Sequence, residues 1–342
     1  RRVLFRSTKL MLDGNGINIA NRVVINSDPV ITVATGTTNT MSGPISGAGD
    51  IVLNGGGTLV LSGANTYTGG TTICGTACGI AGGSSVLQVG VDTVGTPGAI
   101  VSSAIGTGLL TFDGGTLQAG GNYTIANNAQ INATGGTIDA NGYTFTYSGN
   151  ISGAGGLSVL GASAFLGRVV LTGSNTYAGG TTICSCATLQ LGDASHTASI
   201  VGEVTVNGRF EIVNANTAGI TKIVNDGSIG FGSTTFHNST TASTAVIVNR
   251  NYGATVFRDS STAGNSTITN GNNGGSQFFE FSSAASAKIT TSATGYLAFF
   301  QNSTAANAAI DNSGLTYFGT SNFSSTEAPT AGNATITNRS GG

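Results

Sequence analysis

The sequence predicts an all-β chain wound as a parallel β-solenoid, with coils of about 20 residues or more. Three observations predict it. The composition suits long regular strands, a fourteen-residue stretch is written twice, and isoleucines recur at constant spacing near the C-terminus.

Charged residues make up 8% of the 342, against about 25% in ordinary globular chains. Glycine contributes 55 residues and proline only 4, and tryptophan is absent. Thr, Val and Ile favour strands, while Gly, Asn and Ser favour turns that need left-handed or self-bonded backbone. The 39% hydrophobic content alternates with polar residues and net charge is low, which sets the chain apart from disordered Gly/Ser-rich segments.

The first seven residues, RRVLFRS (Arg1 to Ser7), stand apart. One reverse translation of them reads AGACGTGTGCTCTTCCGATCT, a common sequencing adapter, so they are expected to be foreign to the protein and are set aside. They hold three of the 12 basic residues, and without them 9 basic residues face 14 acidic ones. No basic patch remains for nucleic acid and no polybasic stretch for a membrane. No apolar run approaches the ~18 residues of a spanning helix.

The duplicated stretch is LSGANTYTGGTTIC (Leu61 to Cys74) and LTGSNTYAGGTTIC (Leu171 to Cys184). Each copy follows an ISGAG string, at Ile45 and at Ile151, and precedes LQxG, at Leu87 and at Leu189. Leu59 with Leu61, Leu87 with Val89, Val169 with Leu171 and Leu189 with Leu191 fall two apart, the period of a strand with one buried face. Each unit therefore predicts a strand, a Gly-rich turn, a strand, an NTYxGG turn, TTI, an insert of variable length and a final strand.

Further along, Ile247, Ile268, Ile289 and Ile310 are 21 residues apart, and Ile336 follows after 26. Phe236, Phe257, Phe279 and Phe300 precede the first four, and Asn249, Asn270, Thr291, Asn312 and Asn338 follow two residues after each Ile. If each period is one coil, equivalent residues stack about 4.8 Å apart. The Ile and Phe columns then become internal ladders, and the Asn column a ladder of amides at a turn. No coil can stand alone, so stability is shared between neighbours. At about 21 residues each, roughly 16 coils are expected.

SGxNTYxGGTT with ISGAG upstream and LQxG downstream resembles the autotransporter-associated β-strand repeat, over about residues 41 to 192. That repeat occurs in passenger domains of autotransporters and in other large bacterial surface proteins. The resemblance implies a right-handed parallel β-helix exported to the surface of a Gram-negative cell, with repeats that aid folding and secretion. It also implies an N-terminal signal peptide and a C-terminal translocator or anchor outside this sequence. Both natural ends are thus expected to be missing, and any membrane contact is expected only through that missing part. Residues 8–205 are expected to carry the two long repeats, and residues 206–342 the shorter coils.

Few residues stand out as candidates for chemistry. Cys74 with Cys78 and Cys184 with Cys186 leave three readings open: small local disulfides or surface thiols, simple packing, or a metal site. Asp113 and Asp139 both follow strands and could fall on neighbouring coils, but Asp139 in DANG reads better as a turn former. Gly156 replaces Asp50 in the second copy, so a stacked calcium cage is not supported. His196 and His237 read as surface or turn residues, Tyr67 and Tyr177 as turn packing, and the Phe column as core rather than a sugar-stacking strip. No catalytic, cofactor or metal residue is assigned, and no cofactor is expected.

The sequence therefore points to a structural, adhesin-like surface scaffold and not to an enzyme. Its expected partners are glycans, host or neighbouring-cell surfaces, or its own copies, and nucleic acid is not among them. The rival readings are the non-catalytic part of a polysaccharide-active β-helix enzyme, and a surface protein exported by another route.

Overall fold

A computed structural model of the chain describes residues 9–76, 83–162, 167–319 and 328–339, together with the backbone of residues 3–5. The described residues contain strands and no helix. They wind into a parallel β-solenoid of about 14 turns with about 21 residues per turn. Part of the shortfall from 16 has a local cause, because residues 91–102 add no strand to the coil stack and carry an antiparallel hairpin, Val94–Thr96 against Ala99–Ser102. The chain divides into two compact units, Arg1–Gly180 and Thr181–Gly342.

In the first unit each coil contributes strands to up to three sheets. One is seven-stranded and includes Ile51–Asn54, Thr71–Cys74, Leu110–Asp113, Ala129–Ile131 and Ile151–Gly153. A second runs from Asn18–Ile19 through Thr58–Leu61, Val86–Val89, Thr116–Ala119 and Gly136–Asp139 to Leu157–Leu160. The third side begins as Val3–Phe5, Val23–Ile25 and Ile45–Ser46, and resumes as Thr124–Ile125, Thr144–Tyr147 and Gly167–Leu171. All these pairings are parallel and in register, as in Leu59↔Leu87↔Leu117↔Ile138. Val3–Phe5, within the segment expected to be foreign, pairs with Val23–Ile25 through backbone groups that any extended chain can offer.

In the second unit two sides remain long and the third shrinks. The Ile-bearing side pairs Ile247↔Ile268↔Ile289↔Ile310↔Ile336, the column that the spacing predicted. The shortened side of this unit has one two-stranded sheet, Ala198–Ser199 with Ala215–Asn216, and then single-residue bridges, Thr241↔Thr262↔Ser283↔Thr304↔Thr330.

The Phe column differs from the sequence reading by one residue. The core ladder is Phe236, Phe257, Phe278, Phe299 and Phe318, with stacked rings 4.8, 4.6, 4.8 and 4.7 Å apart. Phe279 and Phe300 stand one residue later on the chain and so face outward, because strand side chains alternate. They stack on each other at 4.9 Å, capped by Arg258 over Phe279 and by a tilted Tyr317 beside Phe300. The sequence carries two adjacent Phe in both coils, and the inner ones, Phe278 and Phe299, are those that keep the 21-residue spacing from Phe236 and Phe257.

The amide ladder exists but is buried at strand ends rather than placed in a turn. Asn225 Nδ2 donates to Asn249 Oδ1, and Asn249 Nδ2 donates to Asn270 Oδ1, both at 2.8 Å. A second column reinforces it. Thr234, Thr255 and Ser276 each donate to the ladder amide oxygen of the same coil, at 2.7, 2.8 and 2.9 Å. The next coil breaks both columns, with Thr291 in the ladder and Leu297 opposite Ser276. Asn270 Nδ2 is left buried without an acceptor.

Two stability measurements follow from these columns. Phe257→Ala should cost about 3–5 kcal/mol and Phe279→Ala about 1, read as shifts in the urea midpoint; equal costs would contradict the assignment of inner and outer columns. Thr291→Asn should raise stability by about 1 kcal/mol by giving Asn270 an acceptor, and a lowered midpoint would show that the site has no room for the amide.

Candidate functional site

The duplicated stretch is the most distinctive element of the chain, and the structure shows what it builds. In each copy the NTY segment runs alongside the ISGAG segment one coil earlier. Thr66 N donates to Ile45 O and Thr176 N to Ile151 O, both at 2.8 Å. Two residues on, Thr68 N donates to Gly47 O at 3.0 Å and Ala178 N to Gly153 O at 2.9 Å. The Asn side chains complete the pairing, since Asn65 Oδ1 accepts from Ile45 N at 2.8 Å and Asn175 Oδ1 from Ile151 N at 3.0 Å. Head and tail of the motif thus stack on one another, so each copy is a self-contained junction between two coils.

The glycines fit this junction. An added Cβ at Gly69 would lie 2.4 Å from Gly49 O, and one at Gly179 would lie 2.3 Å from Gly156 N. The first Gly of each NTYxGG therefore has no space for any side chain. Tyr67 and Tyr177 are fully buried and cannot stack a sugar ring. The Tyr67 hydroxyl meets Thr71 Oγ1 at 2.6 Å. Burial drives the Tyr67 phenol well above 10.0, the Thr71 hydrogen bond opposes this, and the Asp50 charge adds to it.

The two copies do not stack on each other. In the first, ISGAG lies on the third side, Ile51–Asn54 in the seven-stranded sheet and Thr58–Leu61 in the second sheet. In the other, ISGAG lies in the seven-stranded sheet, Leu157–Leu160 in the second and Gly167–Leu171 on the third side. The same motif is advanced by one face around the coil. The reason for its recurrence is therefore local pairing between its own halves, and not a shared column.

The residues weighed for chemistry do not converge. Asp113 and Asp139 sit on neighbouring coils but in different sheets. Asp113 takes a bond from Thr134, while Asp139 accepts from Gln118 and from Asn141 N, the turn role read from DANG. Asp50 accepts from Gly70 N and donates its own N–H to Asp28, a carboxylate stack that ties turns together. His196 sits beside Asp193 at 2.9 Å in an exposed turn, and His237 Nε2 lies 2.6 Å from Glu211. Partial burial would raise the Asp193 carboxyl, but bonds from the His196 ring and the N–H groups of Ser195 and His196 outweigh it and hold it low. Cys184 and Cys186 form a disulfide with Cα atoms 5.2 Å apart. Cys74 is also disulfide-bonded, and Cys78 lies outside the described residues. Among the described residues no three His, Cys, Asp or Glu side chains gather as a metal site.

Among the described residues the surface carries shallow depressions. One of about 280 Å³ is lined by Asp193, Asn214, Asn238 and Thr240 among others. Another, of about 220 Å³, lies on the outward face of the Ile-bearing strands, lined by Lys288, Thr290, Asp311, Thr335 and Thr337. Its threonines alternate with the Ile column and so point away from it, which places on this side the Thr-rich face that the composition suggested.

The pattern of the passenger-associated-transport-repeat family matches residues 51–75 and 166–197, the two junctions just described. In these two places the chain is similar to autotransporter passenger-type repeat proteins. It is 34% identical over 215 residues to the adhesin BmaC autotransporter of Brucella suis biovar 1 (strain 1330), a match covering 61% of this chain. The match spans 6% of the length of that adhesin. No solved structure matches the chain. The repeats and the adhesin relative identify an extracellular passenger of the cell surface.

Asn65→Ala should cost about 2 kcal/mol, because it leaves the buried Ile45 N–H without its acceptor. Thermal unfolding followed by circular dichroism checks this, and a melting curve like that of the unchanged chain would remove the junction role from Asn65. The same material has a pH test. With the Tyr67 phenol raised in the fold, its stability contribution is complete below pH 10.0 and falls as pH rises beyond it.

Proposed function

We propose that this passenger segment is a non-enzymatic surface scaffold. It holds rows of hydroxyl and amide groups in fixed register for weak, many-point contact with glycans on host or neighbouring cells. Residues 8–205 supply the two junction modules and residues 206–342 the contact coils. One observation carries the reading. The outward face of the strands Thr267–Asn270, Lys288–Thr291 and Thr335–Asn338 exposes Thr267, Thr269, Thr290, Thr335 and Thr337. Thr269 and Thr290 stand in register on adjacent coils about 4.8 Å apart, Thr335 and Thr337 follow one coil beyond Ala309 and Asp311, and weak contacts so distributed gain strength together. The adhesin relative supports the same role, and the enzyme alternative is not favoured.

The two junctions fit a folding role as well. Each pairs two coils using neighbouring sequence only, so coil stacking can begin without a distant partner.

Thr269→Val, Thr290→Val and Thr337→Val combined should lower retention on glycan-coated surfaces about tenfold or more and leave the melting temperature unchanged. Retention equal to that of the unchanged chain would remove this face from adhesion. Release of reducing ends from a polysaccharide by the purified chain would replace the scaffold reading with the enzyme one.

A further inference from the structure

Both copies of the repeated stretch write TTIC, yet the two cysteines end in different places. In the first copy the strand runs Thr71–Cys74, and Cys74 is 3% exposed. In the second the strand is Thr181–Ile183, one residue shorter, so Cys184 opens a turn. Cys184, Ser185 and Cys186 are each half-buried there. The disulfide between Cys184 and Cys186 encloses Ser185 alone.

The backbone holds this turn without the disulfide. Ala187 N donates to Cys184 O at 3.1 Å across the turn, and Asn207 N of the next coil donates to Ile183 O at 3.0 Å. A Cβ at Gly208 would lie 2.2 Å from Cys184 O and 2.4 Å from Ala187 O, so the next coil presses its backbone onto the turn. On the coil after that, Gly230 stands between Ile229 and Phe231, which are 68% and 71% exposed. A Cβ at Gly230 would lie 2.8 Å from Ser185 Cβ. Cross-links stabilise chiefly by closing long loops, and a three-residue span gains less than a long one. The disulfide therefore adds a second closure to a turn already closed.

The two sulfurs are not equivalent. Cys186 N donates to Cys184 Sγ at 3.2 Å. A donor already in place favours the charged form of the sulfur it faces, and the better-stabilised thiolate is the better leaving group. We propose that Cys184–Cys186 is a thiol-exchange site that takes up small thiols of the glutathione class, covalently and reversibly. The incoming thiol first gives its proton to water. Its sulfur then bonds to Cys186 Sγ, the Cys184–Cys186 bond breaks, and the electron pair of that bond leaves on Cys184 Sγ. One disulfide replaces another, so no oxidant or reductant is consumed. Attack of Cys184 Sγ on the mixed disulfide reverses the step and releases the thiol. The half-buried turn, with Gly230 set against it, favours a small thiol over one on a protein surface. Disulfides persist outside the cell, so the pair is oxidised again between exchanges.

Brief exposure of the full chain to reduced glutathione, trapping with N-ethylmaleimide and peptide mass spectrometry read the step directly. Glutathione should appear on Cys186 and the maleimide on Cys184. Each should exceed by about tenfold any label on Cys74, which is also disulfide-bonded but buried. Cys184→Ser with Cys186→Ser should keep the β-sheet circular dichroism of the unchanged chain and take up no glutathione at this turn. Absence of glutathione from both cysteines, or equal labelling of Cys74, overturns the exchange site. So does glutathione on Cys184 with maleimide on Cys186, because the N–H donor then selects nothing. Loss of the sheet signal in the double serine variant overturns it too, since the disulfide would then be a structural clasp.

Discussion

Each coil hydrogen-bonds to the one beside it through parallel backbone ladders, and everything else in the structure follows from that pairing. In-register parallel pairing brings like positions together at the strand spacing. A side chain is therefore acceptable only if it packs well against its own kind. Phenylalanine does so by ring stacking, and four of its contacts in the core ladder lie between 4.6 and 4.8 Å. Asparagine does so because each amide donates to the next and accepts from the last. A buried lone asparagine would be costly, whereas one in a run satisfies its neighbours. The coil with Thr291 and Leu297 shows the converse, because its change orphans an amide on the neighbouring coil.

The duplicated junction obeys the same pairing rule within a shorter span. Its two halves differ in sequence and still stack, because an asparagine side chain and a glycine without bulk adapt one to the other. The motif thus carries both sides of one coil-to-coil contact. Matching of the passenger-associated-transport-repeat pattern to these two places, and its absence from the 21-residue coils, separates two ways of building the same solenoid. One writes the contact into a motif, and the other repeats a near-identical coil until neighbours match.

Much of the fold was legible in the sequence because the periods were plain. The Ile column, the coil length and the strand order of the long repeat all follow from spacing. The inner member of each adjacent phenylalanine pair was legible as well, since Phe278 and Phe299 continue the 21-residue spacing of Phe236 and Phe257, but the reading took Phe279 and Phe300, one residue out of that period. Asn225 was missed as the start of the amide ladder because 24 residues, and not 21, separate it from Asn249. The turn that adds those residues carries Ile229 and Phe231, so one irregularity hid both features. The phase of the two junctions was also out of reach, because it depends on how much chain the intervening coils and the hairpin consume.

That phase has an immunological consequence. The exposed residues of the first junction, such as Thr66 and Thr68, sit beside the third side, while Thr176 and Ala178 sit beside the seven-stranded sheet. Two nearly identical epitopes therefore look out in different directions from the same body. An antibody raised against one peptide would recognise both, yet its two arms could not close on a single flat face of one molecule. Serum against the motif would crosslink neighbouring passengers more readily than it would clamp one.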